Sequence, residues 1–275
     1  MLTEVDFRLA GGQQPLLLVP VHVNGKGTYE FILDTGAGIC LLSSELAAQL
    51  DVKATGTKQG HVAGGRADVA IGSVESLAIG AAELPDVPVA MMDLRDVGAT
   101  VGAKIDGNIG FTYLKHFRIT IDYRRSILRL ARGRHEIVGP SVLKEVGFRL
   151  AAPSKPLVLV RAVVDGRGSY EFALDTGASM TIISPGMAAG LGIKGVPIPP
   201  ITTGGGHKAE ASVGNLGSIA IGGSRLENFQ VLIADIFSML NRVTGASLDG
   251  IVGYNFLKEF VVTIDYPNRV LQLEK

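Results

Sequence analysis

The chain has 275 residues, of which 47% are hydrophobic and 19% charged. This length and composition allow one large domain or two of ordinary size with a proper core, and they argue against disorder. The 26 basic and 26 acidic residues balance, and no basic block supports nucleic acid as a partner. Cys40 is the only cysteine, which excludes an internal disulfide and a cysteine-rich zinc site.

The first half of the chain predicts a series of short strands. Its many glycines, part of 36 in the whole chain, follow no regular period and are typical of strands joined by turns. The second of these strands ends at Asp34, and a short helix with Ser43 as its N-cap follows. The predicted strands are 16–21, 28–33, 69–71, 77–79, 119–122 and 127–130.

The second half repeats the first. Thr120–Tyr123 returns as Thr263–Tyr266 at an offset of 143, whereas motifs nearer the N-terminus return at an offset of 141. So small a drift predicts two units of one fold with short insertions in loops. We expect an N-terminal lobe at 1–135, a C-terminal lobe at 141–275 and a linker within 132–140. Strands are predicted again at 157–160, 169–174, around 213, and at 219–221, 261–265 and 270–273.

Neither a signal peptide nor a membrane span is predicted. The apolar run at 16–21 is short, is broken by Pro20 and has a counterpart at 157–160, which favours a strand. No apolar run approaches the roughly 18 residues of a spanning helix. We therefore expect a soluble protein, cytoplasmic as the sequence stands, and periplasmic or secreted if a signal peptide has been removed.

The motif Asp34–Ala37 recurs as Asp175–Ala178, and each copy closes an apolar strand. A carboxylate in that position is costly unless it is neutralised or hydrogen-bonded. Two such carboxylates, each in the same sequence context in its half of the chain, predict a pair of carboxyl groups that face each other across a pseudo-twofold axis. Because like charges about 3 Å apart cannot both ionise, such a pair holds a single proton.

A pair of this kind can hydrolyse a peptide bond. The ionised carboxyl takes a proton from water as a general base, while the protonated one stabilises the carbonyl oxygen. Gly36 and Gly177 allow a tight turn that brings backbone N–H groups to the carboxylates. The hydroxyls of Thr35 and Thr176 could hydrogen-bond across the junction of the lobes. No covalent intermediate, metal or cofactor is required.

These motifs resemble the aspartic peptidase clan, which includes pepsins and retroviral-type proteases (retropepsins). In that clan each lobe carries an apolar-apolar-Asp-Thr-Gly motif and, later, an apolar-apolar-Gly motif. The later motif reads Asn108–Gly110 and Ile251–Gly253 here, and Asn108 departs from the apolar pattern. The resemblance covers nearly the whole chain. It implies an all-β fold of two pseudo-twofold-related, retropepsin/pepsin-like β-barrel lobes with an active-site cleft between them, in which Asp34 and Asp175 are catalytic.

Two features favour the retropepsin-like branch of the clan. Alanine follows the glycine at Ala37 and Ala178, whereas pepsin-like enzymes usually have Ser or Thr there. Both halves also carry a Gly-rich segment where the clan places its substrate-covering flap, as in a retropepsin dimer fused into one polypeptide. The predicted flap glycines, expected to contact substrate, are Gly64, Gly65, Gly204 and Gly205.

The alanines also predict the pH dependence. A hydroxyl at position 37 or 178 could hydrogen-bond the ionised carboxylate and lower its pKa. With Ala37 and Ala178 in both copies, we expect an activity optimum in mildly acidic solution. A profile that peaks below about pH 3 would contradict this interpretation.

The sequence as a whole predicts an aspartic endopeptidase that acts on a peptide or protein substrate as a monomer with intramolecular pairing of its lobes. One alternative is a catalytically silent peptide-binding or dimerisation module that retains the fold. Another is a homodimer in which each lobe pairs with its twin, giving Asp34–Asp34 and Asp175–Asp175 sites.

Overall fold

The computed structural model describes residues 1–12, 15–62, 65–133, 145–153, 155–202 and 208–275. Strands dominate these residues, and the helices among them are short. The predicted linker at 132–140 lies for the most part outside the described residues. The division into lobes at 1–135 and 141–275 therefore stays a prediction.

Short strands follow one another through the first half, with helices of four to seven residues between some of them. The strands are β1 (Leu2–Asp6), β2 (Arg8–Ala10), β3 (Leu16–Val23), β4 (Lys26–Leu33), β5 (Cys40–Ser43), β6 (Gly56–Val62), β7 (Gly65–Ile79), β8 (Ala82–Met92), β9 (Gly107–Ile109), β10 (Arg118–Asp122) and β11 (Ile127–Ala131). The helices are α1 (Ser44–Gln49), α2 (Arg95–Val101) and α3 (Phe111–Leu114).

The same series recurs in the second half. The strands are β12 (Val146–Gly147), β13 (Arg149–Ala152), β14 (Lys155–Val164), β15 (Arg167–Leu174), β16 (Ile182–Ile183), β17 (Val196–Thr202), β18 (Lys208–Ile221), β19 (Ser224–Ala234), β20 (Gly250–Val252), β21 (Val261–Asp265) and β22 (Val270–Glu274). The helices are α4 (Pro185–Leu191), α5 (Phe237–Thr244) and α6 (Tyr254–Leu257). Across the described ranges, no helix is long and apolar enough to cross a bilayer.

Each half folds its strands into a sheet that closes on itself. The described strands of the first half take the order β2-β3-β4-β9-β5-β8-β7-β6, with an extra pairing of β3 and β7. Those of the second half take the order β13-β14-β15-β20-β16-β19-β18-β17, with an extra pairing of β14 and β18. The two orders correspond strand for strand, which confirms the predicted all-β fold of two related lobes.

A third sheet joins the two halves. Its order is β1-β11-β10-β21-β22-β12, so that β10 of the first half pairs with β21 of the second. The pairing is antiparallel and sets Thr120 opposite Thr263, and their hydroxyl oxygens lie 2.9 Å apart. Because these two residues are equivalent in the internal repeat, the pseudo-twofold axis passes between them.

The interior of each lobe contains large apolar side chains from equivalent positions. Tyr113 and Phe117 pack together in the first lobe, and Phe256 and Phe260 pack together in the second, with ring centroids 4.9 and 5.1 Å apart. All four side chains are buried. Tyr113 carries a hydroxyl that Phe256 lacks, and this hydroxyl donates a hydrogen bond to a backbone carbonyl of β8.

The helix predicted after Ser43 is confirmed, and the second lobe has an equivalent helix with the same kind of cap. Ser43 caps α1, because its hydroxyl accepts a hydrogen bond of 3.1 Å from the backbone N–H of Leu46. Ser184 caps α4 in the same way, with 3.1 Å to the N–H of Met187, and Pro185 is the first residue of that helix. Equivalent caps place the two helices identically in the two lobes.

A long antiparallel hairpin lies in each lobe where the sequence predicts a flap. β6 pairs with β7, and β17 pairs with β18. Gly65 is the first residue of β7 and pairs with Val62. The other predicted flap glycines, Gly64, Gly204 and Gly205, lie outside the described residues.

Candidate active site

The fold sets both Asp-Thr-Gly segments at the same place in their lobes. Asp34 follows β4, and its backbone N–H donates a 3.0 Å hydrogen bond to the carbonyl of Ile109 on the parallel strand β9. Asp175 follows β15, and its N–H donates at 3.0 Å to Val252 on β20. The later apolar motifs therefore run beside the aspartate loops.

The glycines that end these motifs pass close to neighbouring backbone. A Cβ on Gly110 would lie 2.5 Å from the carbonyl oxygen of Ile39, and one on Gly253 would lie 2.5 Å from that of Met180. Such distances are too short for any side chain. Only glycine therefore allows these motifs to pass so close to the aspartate loops.

Each aspartate loop folds back on its own carboxylate. The N–H of Gly36 donates to Oδ1 of Asp34 at 2.9 Å, and the N–H of Gly177 donates to Oδ1 of Asp175 at 2.8 Å. The missing Cβ of each glycine faces the carboxyl of the opposite lobe. A Cβ on Gly36 would lie 2.5 Å from Oδ2 of Asp175, and one on Gly177 would lie 2.9 Å from Oδ1 of Asp34.

The two threonines interlock the lobes. The hydroxyl of Thr176 accepts from the N–H of Thr35 at 3.1 Å and donates to the carbonyl of Leu33 at 2.7 Å. In the same way, the hydroxyl of Thr35 accepts from the N–H of Thr176 at 3.0 Å and donates to the carbonyl of Leu174 at 2.9 Å. Both side chains are 2% exposed. Four buried hydrogen bonds thus fix the distance between the aspartate loops.

We expect Thr176→Val to lower the free energy of unfolding by about 2 kcal/mol, because it leaves a buried N–H and a buried carbonyl without partners. Thr176→Ser keeps the hydroxyl and is the matched control. Urea unfolding of both variants measures the difference. A valine variant as stable as the serine variant would show that the interlock contributes nothing to folding.

The interlock brings the carboxyls of Asp34 and Asp175 close enough together for each to alter the pKa of the other. Burial raises the pKa of Asp34, a rise opposed by the charge of Lys155 and by hydrogen bonds from Gly36 and Asn108. Burial, followed by the negative charge of Asp34, raises the pKa of Asp175 to about 7. Two carboxyls in this arrangement hold one proton between them over a range of pH.

Asn108 is the residue of this site that the sequence interpretation missed. Its Nδ2 donates to Oδ2 of Asp34 at 3.1 Å. Asp34 therefore has a side-chain donor although Ala37 offers none. The available signal was the departure of Asn108 from the apolar pattern, because a buried amide needs hydrogen-bond partners.

Other acidic residues at equivalent positions hold backbone groups in place. Asp106 accepts a 3.0 Å hydrogen bond from the N–H of Glu30, and Asp249 accepts one of 2.8 Å from the N–H of Glu171. These contacts tie the start of each apolar-apolar-Gly motif to the strand that leads to the aspartate loop. Across the described residues, no group of three or more His, Cys, Asp and Glu side chains could hold a metal ion.

Comparison with known protein families shows which family the chain belongs to. The family described as aspartyl protease matches residues 19–113 and 160–256, which together make up more than half of the chain. The chain belongs to the aspartyl protease family. The two matched regions lie in the two copies of the internal repeat, and they contain Asp34 and Asp175 respectively.

Solved structures show the same fold. The chain is similar to the crystal structure of an aspartic proteinase from Irpex lacteus, with a TM-score of 0.59 and 14% sequence identity. The alignment covers 100% of this chain and 97% of the fungal one. At this identity the likeness shows the two-lobed architecture alone. A search of curated protein sequences finds no significant match.

Proposed function

We propose that this aspartyl protease is an endopeptidase in which Asp34 and Asp175 of one chain activate a water molecule. The proposal is supported above all by the contact between the two carboxyls, one of which has a pKa raised to about 7. The remaining dyad-supporting roles go to Thr35 and Thr176, which fix the loops, and to Gly36 and Gly177, which donate to the carboxylates.

The proposed reaction proceeds without a covalent intermediate. The ionised carboxyl accepts a proton from water while the water oxygen bonds to the peptide carbonyl carbon, and the protonated carboxyl gives its proton to the carbonyl oxygen. The carbon–nitrogen bond then breaks as the first carboxyl passes its proton to the amine nitrogen. A hydroxyl of the tetrahedral intermediate returns a proton to the second carboxyl, so the dyad again holds one.

The proposed substrate is an extended peptide that lies in the cleft between the lobes. Such a peptide would pair with main-chain groups as a strand does, with alternate side chains in apolar pockets. The hairpins β6–β7 and β17–β18 are proposed to close over it, with the predicted flap glycines as contact residues. These are Gly64, Gly65, Gly204 and Gly205.

A peptide library incubated with the purified protein between pH 4 and pH 7 tests this function, with products identified by mass spectrometry. We expect internal cleavage that a metal chelator leaves unchanged. Retention of library peptides without any cleavage would instead support a silent peptide-binding module. If the protein neither cleaves nor binds the peptides, both the endopeptidase function and the binding module are contradicted.

The pH profile of kcat/KM is expected to be bell-shaped with a mildly acidic optimum. Activity requires one proton in the dyad, so it should fall as the pH rises through the pKa of about 7 at Asp175, where the second carboxyl ionises. It should fall again in acid, where both carboxyls are protonated. Initial rates on one cleaved peptide between about pH 2 and pH 9 measure the profile, and an optimum below about pH 3 would contradict it.

A further inference from the structure

Asn108 lies on β9 between the strands that carry the first aspartate loop. It pairs with Ile32 on β4 in parallel and with Leu41 on β5 in antiparallel register. The side chain is 6% exposed, in a motif whose other members are apolar or glycine. Its equivalent in the second lobe is Ile251, whose side chain has no hydrogen-bonding group.

The orientation of the Asn108 amide follows from its contacts. The backbone N–H of Leu41 donates to Oδ1 of Asn108 at 2.8 Å, and an N–H group can donate only to the oxygen end of an amide. The nitrogen end must therefore point the other way, where Nδ2 lies 3.1 Å from Oδ2 of Asp34. A donor is thus held in place against the carboxylate by the backbone of β5.

This contact makes the two halves of the dyad unequal. Asp34 receives a donor on each oxygen, from the N–H of Gly36 on Oδ1 and from Asn108 on Oδ2. Among the described residues, Asp175 receives a backbone donor, Gly177, on Oδ1 and has an apolar residue where Asp34 has Asn108. Hydrogen bonds to a carboxylate favour its ionised form.

The other titratable groups near the dyad act on both aspartates or are neutral. The charge of Lys155 lowers the pKa of both aspartates, and for Asp34 it is the largest lowering influence. Burial raises the pKa of Cys40, Tyr123 and Tyr266, so these three groups are neutral in the working range. Asn108 is the group that acts on one aspartate and has no counterpart for the other.

We propose that Asn108 is a positioning residue that keeps Asp34 ionised, so that Asp34 is the general base and Asp175 holds the shared proton. The assignment rests on the proposed endopeptidase function. Asp175 then donates its proton to the carbonyl oxygen of the substrate, and Asp34 takes the proton of the attacking water. The pKa of Asp175, raised to about 7, agrees with this division.

Asn108→Leu removes the donor and keeps the branching of the side chain at Cγ, and Ile251→Leu is the matched control in the other lobe. We expect the acid limb of kcat/KM to move up by about one pH unit in Asn108→Leu and to stay in place in Ile251→Leu. A loss of activity equal at every pH, or the same shift in both variants, would overturn the proposal, since a purely structural role does not move the limb.

Carbon-13 NMR of the aspartate carboxyls in the substrate-free protein gives the same answer without catalysis. The lower pKa of the dyad should rise in Asn108→Leu, and an unchanged value would overturn the proposal. If the wild type cleaves no peptide, the endopeptidase function fails while this titration still tests Asn108.

Should Asn108→Leu fold poorly, Ile251→Asn provides the test by adding a donor to Asp175. We expect it to move the higher pKa of the dyad downward, and no movement would overturn the proposal.

Discussion

Replacing either Asp34 or Asp175 with Asn is expected to lower kcat/KM by at least about 1000-fold. An amide can neither accept the proton of the attacking water nor supply one to the carbonyl oxygen, so each half of the dyad is useless without the other. The measurement is the rate on one cleaved peptide, with variants purified like the wild type to exclude contaminating proteases. Retention of half the activity in either variant would indicate lobe-wise homodimers.

The stability of the Asp175→Asn variant separates lost chemistry from lost folding. The pKa of Asp175 is raised from 3.8 to about 7 in the folded state, so between these values the folded protein binds more protons than the unfolded one. Stability therefore falls as the pH rises through this window. Asparagine does not ionise, and we expect Asp175→Asn to raise Tm above that of the wild type at pH 8 but not at pH 4. A lower Tm at both would mean that the variant is inactive because it is misfolded.

The second large effect is expected from a single methyl group. In Gly36→Ala the new Cβ would lie 2.5 Å from Oδ2 of Asp175, so the loop or the opposite carboxyl must move. A misplacement of about 1 Å in a reacting group can cost about 100-fold in rate, and we expect at least that loss in kcat. Gly177→Ala, whose nearest contact is 2.9 Å, should have a smaller effect.

Gly186→Ala is the control for this comparison, because a Cβ at that position of α4 meets nothing within 4 Å. Its kcat should equal that of the wild type. Stopped assays at substrate saturation, with far-ultraviolet circular dichroism to verify folding, measure all three variants. An active Gly36→Ala protein would show that the contact between the aspartate loops is looser than the structure has it.

Much of the fold could be predicted from the internal repeat. Ser43 and Ser184 stand at equivalent positions before apolar segments, and both cap helices. The strand lengths were harder to predict. The separate strands predicted at 69–71 and 77–79 are parts of one strand, β7, of 15 residues. Pairing with β8 on one side and with β6 or β3 on the other carries the strand through polar residues whose local preference does not require it.

The site could be predicted in part. The repeated motif identified Asp34 and Asp175, because a carboxylate after a buried strand is conspicuous in any sequence. The need for glycine at position 36 could not be found that way. A Cβ there would clash with Asp175, which is 139 positions away in the sequence. Asn108 was missed for a related reason: a buried amide needs a partner, but only the packing of β9 between β4 and β5 shows which one.

The central claim is that Asp34 and Asp175 of the same chain form one site. It is tested most directly by mixing equal amounts of the inactive Asp34→Asn and Asp175→Asn proteins and assaying the monomer and dimer fractions from sizing chromatography. Each chain in the mixture retains one intact aspartate loop. We expect the mixture to cleave no peptide at any protein concentration. We also expect the specific activity of the wild type to be independent of dilution. Activity that returns on mixing, or that grows with concentration, would contradict it.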